Sequence, residues 1–307
     1  MSSDNLAQQA ADLFLKAAGD HPGFRLAHAK GLVCEGVFEP TKAAAELSRA
    51  AQFKAPVPLI LRFSNSTGLP MIPDGDPNAN TRGMAIRFVL PGGGIADIVA
   101  NGLRGFVTST PAEFVAFLGA ALSSGPDTPK PTPLEKYLGA HPVTLAHVTK
   151  PNPTPVSFAA KAYFGNNALI FVNRDGQKVA TRYEILPAAG EQNLDAATAA
   201  AKPPNFLMDD LKARVAKGPV EFKLWVQVAN PGDPTSDVNI QWPADRKRVE
   251  LGTIRVTSVD PYSAETEKKL TFDPNHITDG IELSDDPILK FRAEVYSLSI
   301  ARRMAAK

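Results

Sequence analysis

Short apolar segments that follow one another through tight turns constrain the fold of this chain most strongly. A proline followed by three glycines at 91–94 separates two such segments, and Arg174-Asp-Gly176 is a hairpin signal between two others. Strands joined by such short turns pair in an antiparallel way, because a parallel pair needs a long crossover connection. The segments with strand character are 31–38, 55–64, 81–90, 95–101, 157–164, 169–174, 178–186, 221–228 and 249–256.

Helix signals stand before, between and after these segments. Thr110-Pro-Ala-Glu113 and Thr132-Pro-Leu-Glu135 each place a threonine cap before a proline, with a glutamate three residues after the cap. Apolar periodicity predicts further helices over 4–18, 205–217 and 287–303, and the 27 prolines argue against a helical bundle. The chain is therefore predicted to be an α+β protein with one domain over 1–307. We expect a closed antiparallel β-barrel of about eight strands, with inserted and flanking helices.

Composition argues against several classes of function. A net charge of +1 and no basic run longer than Arg246-Lys-Arg248 do not suit a nucleic-acid-binding protein. Cys34 is the single cysteine, so neither an internal disulfide nor a cysteine-based metal site is expected. No apolar stretch approaches about 18 residues and no secretory signal is visible at the start. We therefore expect no membrane association and a cytoplasmic location, or a periplasmic one if a signal has been trimmed.

The predicted terminal helix carries a pattern that suits metal chemistry. Arg292, Tyr296, Ser299 and Arg303 recur at i, i+4, i+7 and i+11, which places them on one face. A free tyrosine has a pKa near ~10 and is a poor ligand at neutral pH, whereas a guanidinium one turn away favours the phenolate, which can bind ferric iron. The spacing alone is explained more simply by an amphipathic helix. Read alone, His28 is likewise more often a core histidine than a catalyst.

Six segments in order nevertheless resemble the haem catalases, and specifically the small catalase-related peroxidases that keep the haem-binding barrel and lose the flanking parts. The resemblance covers roughly 23–303. Each motif is weak alone, whereas the ordered set is specific. The matching segments are Arg25-Leu-Ala-His-Ala-Lys-Gly31, Leu61-Arg-Phe-Ser64, Arg82-Gly-Met-Ala-Ile-Arg-Phe88, Asp97-Ile-Val-Ala-Asn101, Phe272-Asp-Pro-Asn275 with Gly280-Ile-Glu282, and Arg292 to Tyr296.

The resemblance implies a bound haem b (heme b) and roles for five residues around its iron. Tyr296 would be the axial ligand of the iron, as in catalase, and Arg292 would keep it ionised. His28 and Asn101 would form the distal pair, with Ser64 bonded to His28. A neutral histidine can carry a proton from one peroxide oxygen to the other, and an amide donor can stabilise the developing charge.

The resemblance also implies contacts at the edge and on the distal face of the cofactor. Arg25, Arg62 and Arg303 would bind the haem propionates, because the planar guanidinium fork matches a carboxylate. Phe106 and Phe114 stand where the family has distal phenylalanines, of which one lines the peroxide pocket and one stacks on the haem.

The expected function is that of a haem-dependent peroxidase that uses hydrogen peroxide or organic peroxides to oxidise small organic donors, with weak catalase activity. The chain ends soon after the proximal helix, without the wrapping and helical regions of full-length catalases. Ser66 stands where catalases usually have a valine that narrows the main channel. A wetter, more open channel favours oxidation of donors, and a monomer or homodimer is expected in place of a tetramer.

Two other functions remain open on the sequence. A hydroperoxide isomerase of the allene oxide synthase type shares this fold and haem, but it carries a hydroxyl residue directly before the distal histidine, where this chain has Ala27. A non-catalytic haem or ligand-binding barrel would need pocket walls and an axial ligand, but no histidine, serine and asparagine converging on the distal face.

Overall fold

A computed structural model describes the backbone of residues 3–306 and the side chains of residues 5–306. In that range the helices are α1 (Ser3–Ala18), α2 (Lys42–Leu47), α3 (Pro111–Leu122), α4 (Pro133–Ala140), α5 (Pro142–Val148), α6 (Ala196–Ala200), α7 (Phe206–Val215), α8 (Ser263–Lys269) and α9 (Pro287–Ala305). The strands are β1 (Gly31–Pro40), β2 (Val57–Ser64), β3 (Gly83–Val89), β4 (Ile95–Asn101), β5 (Tyr163–Val172), β6 (Lys178–Pro187), β7 (Val220–Val228), β8 (Arg248–Val259) and β9 (Ile281–Leu283).

The strands form one antiparallel sheet that closes on itself. Their order is β4-β3-β2-β1-β8-β7-β6-β5-β9, and β4 also pairs with β5 through Asn101 and Phe164. Strands β1 to β8 therefore make a closed barrel, and β9 adds to the outside of this ring by pairing with β5. The predicted α+β class and the eight-stranded antiparallel barrel are confirmed.

The two faces of strands β1 to β4 have different chemistry. Residues that point into the barrel are apolar and buried, among them Leu61, Phe63 and Met84. Side chains alternate between faces along a strand, so the intervening residues point outward. One outward row is the cross-strand set Gly31, Ser64, Gly83 and Asn101, and the next is Val33, Arg62, Ala85 and Val99. Small and polar residues on these two rows leave an outer face that other elements can cover.

Helices α1, α3 and α9 pack together outside the barrel around a second apolar cluster, which includes Ala7, Phe114 and Phe291. The capping prediction at Thr110 is confirmed, because its hydroxyl accepts from Glu113 N at 3.2 Å and Glu113 Oε2 accepts from Thr110 N at 3.1 Å. Helix α9 begins at Pro287 as predicted and runs to Ala305. Within residues 3–306, none of the helices has both the length and the apolar character needed to span a membrane.

One strand prediction is wrong. The segments 157–164 and 169–174 were predicted as two strands, but the structure has a single strand, β5, with an irregular register between Gly165 and Leu169. A short 3₁₀ turn precedes it, and the Ser157 hydroxyl caps that turn by accepting from Ala159 N at 3.0 Å. Asn166 and Asn167 lie in this irregularity. In the sequence a pair of polar residues suggests that the strand ends, whereas in the structure both side chains contact residues of the candidate site described below.

Candidate active site

Helix α9 presents the arginine and tyrosine of its predicted motif to each other. Arg292 donates to the Tyr296 hydroxyl oxygen from Nε at 3.1 Å and from Nη2 at 3.0 Å. Arg292 Nη2 also donates to Val99 O at 3.4 Å, which ties this face of α9 to the outer face of β4. The two hydrogen bonds from Arg292 place its positive charge beside the Tyr296 oxygen, which is the atom that would bind a metal.

Two residues for which the sequence predicted no site role hold this arginine in place. Arg292 Nη1 donates to Asn167 Oδ1 at 2.6 Å, and Asn167 Nδ2 donates to Asp286 Oδ2 at 2.8 Å. Asp286 also caps α9, since its Oδ1 accepts from Ile288 N at 2.9 Å. Burial raises the pKa of Asp286, and the bonds from Asn167 and Ile288 oppose that shift. A polar chain therefore orients the guanidinium; its sequence signal was the pair of asparagines inside an apolar strand.

His28 lies just before β1 with its imidazole bonded to β2. Its Nδ1 is 3.0 Å from Ser64 Oγ, as the resemblance implied. Burial, followed by the positive charges of Arg62, Arg292 and Arg25, lowers the pKa of His28 to about 3. The imidazole is therefore neutral at physiological pH, with Nδ1 committed to Ser64 and Nε2 left to act on a substrate.

The backbone of His28 adopts a conformation that few residues other than glycine adopt. Its φ is 55°, in the left-handed region. Two hydrogen bonds hold it there: His28 N donates to Ser66 O at 2.8 Å, and Arg62 Nη2 donates to His28 O at 2.7 Å. Strained backbone of this kind persists where surrounding contacts determine it, and it is concentrated at functional sites.

Gly83 provides the strand surface against which the His28 imidazole packs. It lies between Ser64 and Asn101 in the outward row of β2, β3 and β4. A β-carbon at this position would lie 2.7 Å from Ser64 Oγ and 2.8 Å from His28 Nδ1, so the ring of His28 rests directly against Gly83. Gly83 stands within the Arg82–Phe88 segment, and no site role was predicted for it from the sequence. The available signal was a glycine inside a strand, which often marks a close approach.

Asn101 ends β4 with a fixed orientation of its amide. Its Oδ1 accepts from Leu103 N at 3.1 Å and from Asn166 Nδ2 at 3.4 Å. Asn166 also donates to Leu103 O at 2.9 Å and accepts from Gly105 N at 2.8 Å, which holds the turn after β4. With its oxygen committed, Asn101 has its Nδ2 protons left to donate. The structure thus brings His28, Ser64 and Asn101 together over three adjacent strands.

The three arginines implied as propionate ligands form one cluster. Arg25 Nη1 and Arg62 Nη2 contact Glu267 Oε2 at 2.6 and 2.8 Å, while Arg303 donates to Leu270 O at 3.0 Å. Burial and then the charge of Arg62 lower the pKa of Arg25 well below its ordinary value, and the same two causes lower that of Arg303 to about 10. The guanidiniums therefore repel one another, and a group with negative charge stabilises them.

Phe106 and Phe114 lie beside α9. Their rings are stacked with centroids 5.3 Å apart, and Phe114 meets Phe291 of α9 edge-on at 5.8 Å. Phe14 of α1 lies 6.1 Å from Phe114. The structure thus places both rings in the second apolar cluster, and their contact with a haem or with peroxide stays a prediction.

The donor set and the surface between these residues fit a haem. Val33, Ile60, Ala85 and Val99 form an apolar patch with Phe272 on the outer barrel face, and the last three of the strand residues are only half-buried. Arg62 lies in the same cross-strand row as Val33, Ala85 and Val99, and Ser64, which bonds to His28, lies in the next row. Arg292 links the Tyr296 hydroxyl to Val99 O. An apolar patch beside these groups suits a flat apolar ring with two carboxylates. Among residues 3–306, no group of three or more His, Cys, Asp or Glu could hold a metal. An iron held by one tyrosine oxygen and a porphyrin needs no such group.

Comparison with known proteins agrees with this geometry. A family model described as catalase matches residues 22–307. A protein named catalase-related peroxidase from Mycolicibacterium paratuberculosis is 38% identical over 307 residues, which cover 99% of this chain and 96% of that protein. Another protein of that name, from Synechococcus elongatus, is 33% identical and is matched over 93% of this chain and 85% of its own length.

Solved catalases share the fold. A fungal catalase superimposes with a TM-score of 0.81 at 21% identity, and catalase A from Saccharomyces cerevisiae with 0.81 at 20%. Each match covers 93% of this chain but only 60% and 62% of the respective catalase, so this chain spans about three fifths of their length. The family model and the two relatives cover almost all of the sequence, and this chain therefore belongs to the catalase family.

Proposed function

We propose that the protein is a haem-dependent peroxidase that reduces hydrogen peroxide or organic peroxides at the expense of small organic donors, with weak catalase activity. The observation that carries the proposal is the neutral His28 imidazole, which is bonded to Ser64 and rests against Gly83, the residue that pairs with Asn101 across β3 and β4. In the net reaction one hydrogen peroxide gains two electrons and two protons to give two waters. Two donor molecules each lose one electron and one proton, so the reaction balances.

The cofactor in this proposal is one haem b, whose iron Tyr296 would hold through its phenol oxygen. Haem supplies the redox centre through which electrons from the donor reach the peroxide. Arg292 keeps a positive charge 3.0–3.1 Å from the ligand oxygen. Arg25, Arg62 and Arg303 would bind the propionates through charge-assisted hydrogen bonds.

The residues of the distal side handle the protons. His28 Nε2 accepts a proton from one peroxide oxygen and returns it to the other, which becomes a leaving water. Ser64 holds the opposite ring nitrogen, and Gly83 leaves room for the ring. The Asn101 amide donates to the peroxide and stabilises negative charge as the bond between its oxygens lengthens.

The absorption spectrum and two activity assays test this function. We expect a Soret band from bound haem, hydrogen peroxide consumption, and oxidation of a phenolic donor that exceeds oxygen release at the same peroxide concentration. One basis for this ratio is the resemblance, which places Ser66 where catalases usually have a valine that narrows the main channel. Purified protein without haem absorbance would contradict the proposal, and so would oxygen release near ~10⁸ M⁻¹s⁻¹ without donor oxidation.

The isomerase alternative is less well supported by the residues around His28. Its distal histidine follows a hydroxyl residue, whereas the methyl group of Ala27 can make no hydrogen bond. Rearrangement of a lipid hydroperoxide without oxidation of a donor would favour the isomerase. The donor-oxidation assay therefore also separates the isomerase from the peroxidase.

A further inference from the structure

Glu267 of α8 occupies the centre of the arginine cluster. Its Oε2 contacts Arg25 Nη1 and Arg62 Nη2, and the three side chains are only 14%, 12% and 4% exposed. Glu267 Oε1 and Arg62 Nε are buried without a hydrogen-bond partner. A buried carboxylate that leaves one oxygen unpaired, beside a guanidinium with an unpaired N–H, is an incomplete arrangement.

The backbone of β1 approaches this pair closely. A β-carbon on Gly31 would lie 2.2 Å from Arg62 Nη2 and 2.7 Å from Glu267 Oε1. Gly31 belongs to the same outward row as Ser64, Gly83 and Asn101. The chain therefore makes room for a carboxylate against Arg62 at the edge of the apolar patch.

Glu267 uses the N–H groups that a cofactor carboxylate would need. Each guanidinium has a limited set of donors in a rigid fork. Arg25 Nη2 is already committed to Leu270 O at 2.7 Å, and Arg62 Nη2 also donates to His28 O at 2.7 Å. A propionate that reaches Arg25 and Arg62 must therefore share or take the donors that Glu267 holds.

We propose that Glu267 competes with the haem propionates for Arg25 and Arg62, and so sets how tightly and how long the protein holds its cofactor. This inference rests on the proposed function. Glu267 binds the two arginines before haem enters, moves away when a propionate replaces it, and recaptures them as haem leaves. The required movement is a change of side-chain rotamer within the seven-residue helix α8, where the neighbouring Glu265 and Lys268 side chains are exposed.

The test is the rate at which haem-loaded protein gives up haem to excess apomyoglobin, followed by the Soret band. Glu267→Gln keeps the size of the side chain and removes its charge, so we expect haem loss about tenfold slower than in the wild type, the order expected for one lost charge-assisted interaction. Glu265→Gln on the same helix removes an exposed carboxylate that makes no arginine contact, and should leave the rate unchanged. Glu267→Asp, which keeps the charge on a shorter side chain, should fall between wild type and Glu267→Gln.

A second cofactor identifies the propionates as the competing groups. The wild type and Glu267→Gln are stripped of haem and reloaded with haem dimethyl ester, whose esters carry no charge. The two proteins should then lose this cofactor at equal rates. Equal or faster loss of ordinary haem from Glu267→Gln overturns the inference, because Glu267 would then support the arginines without competing. Failure of the proposed function looks different, since the wild type itself would bind no haem.

Discussion

His28 is held as a base that stays uncharged far below the pH at which a free histidine gains a proton. Its pKa of about 3 results from burial and from Arg62, Arg292 and Arg25. Because the neutral form is the proton acceptor, lowering the pKa extends the active form toward acid. In the sequence, only the resemblance to catalases indicated that this residue is catalytic. The cause of its neutrality could not be predicted, because it includes Arg62 of β2 and Arg292 of α9.

We therefore expect the first peroxide-dependent change in haem absorbance to keep nearly the same rate from about pH 8 to about pH 5. An ordinary histidine, with a pKa near ~6.5, would lose its base form by about tenfold per pH unit below that value. Stopped-flow mixing with hydrogen peroxide measures the rate. His28→Gln should lower it by about 10²–10⁴-fold. A break near ~6.5 in the wild type would show that the imidazole is not held as the structure indicates.

A second prediction concerns Gly83, because the absence of a side chain there leaves the space that the His28 imidazole occupies. Gly83→Ala places a methyl group within 2.9 Å of His28 and Ser64, so the imidazole must shift. We expect a loss of about 10²-fold in the same rate, the scale of a misplacement near 1 Å, with haem still bound. Gly119→Ala in α3 is the matched control, since nothing lies within 4 Å of its added carbon. Full activity of Gly83→Ala would rule out this positioning role.

At the scale of elements, α9 was predictable because its signals are local. Asp286 and Pro287 mark its start, and Arg292 and Tyr296 meet because they are one turn apart. The contact from Arg292 to Asn167 crosses 125 residues, and no local pattern indicates it. The same holds for Glu267, whose arginine partner Arg25 lies 242 residues away. The error at β5 has a related cause, since two asparagines that bind α9 and the turn after β4 look like a loop in the sequence.

Helix α9 is also where the cofactor prediction is tested. Tyr296→Phe removes the oxygen that we propose binds the iron and leaves the ring. We therefore expect haem to be lost or its Soret and charge-transfer bands to shift, with the melting temperature of the cofactor-free chain little changed. The control is Tyr262→Phe, because Tyr262 is 70% exposed. An absorption spectrum that is identical in wild type and Tyr296→Phe would remove Tyr296 from the iron.

At the scale of the whole molecule, the barrel core and the site share the same strands. Phe63 is fully buried inside the barrel and packs against Phe158, Tyr163 and Phe222, while its neighbours Arg62 and Ser64 point outward to the site. The turn pattern and the alternation of side chains made this barrel predictable. The assignment of one domain to 1–307 and the monomer or homodimer stay predictions.

Because of this sharing, a core substitution should disturb both stability and function. Phe63→Ala is expected to lower the free energy of unfolding by about 3–5 kcal/mol, measured by urea denaturation, and to weaken haem retention through Arg62. Phe63→Leu, which fills most of the space, should cost far less. Unchanged haem retention in a destabilised Phe63→Ala would mean that the outer face holds its geometry independently of the barrel interior.

The closure of the barrel at Asn101 and Phe164 has a consequence for local fluctuation. Neighbouring strands such as β2 and β3 are paired over six residues, whereas β4 and β5 meet at one registered pair. A seam this narrow opens at the lowest cost in ladder hydrogen bonds. Amide hydrogens beside Asn101 and Phe164 should therefore exchange with deuterium sooner than those at the centre of β2. The Asn101 amide, which we propose donates to peroxide, thus lies at the pairing of strands that opens most easily. Occupation of the site should therefore slow hydrogen exchange along that seam first.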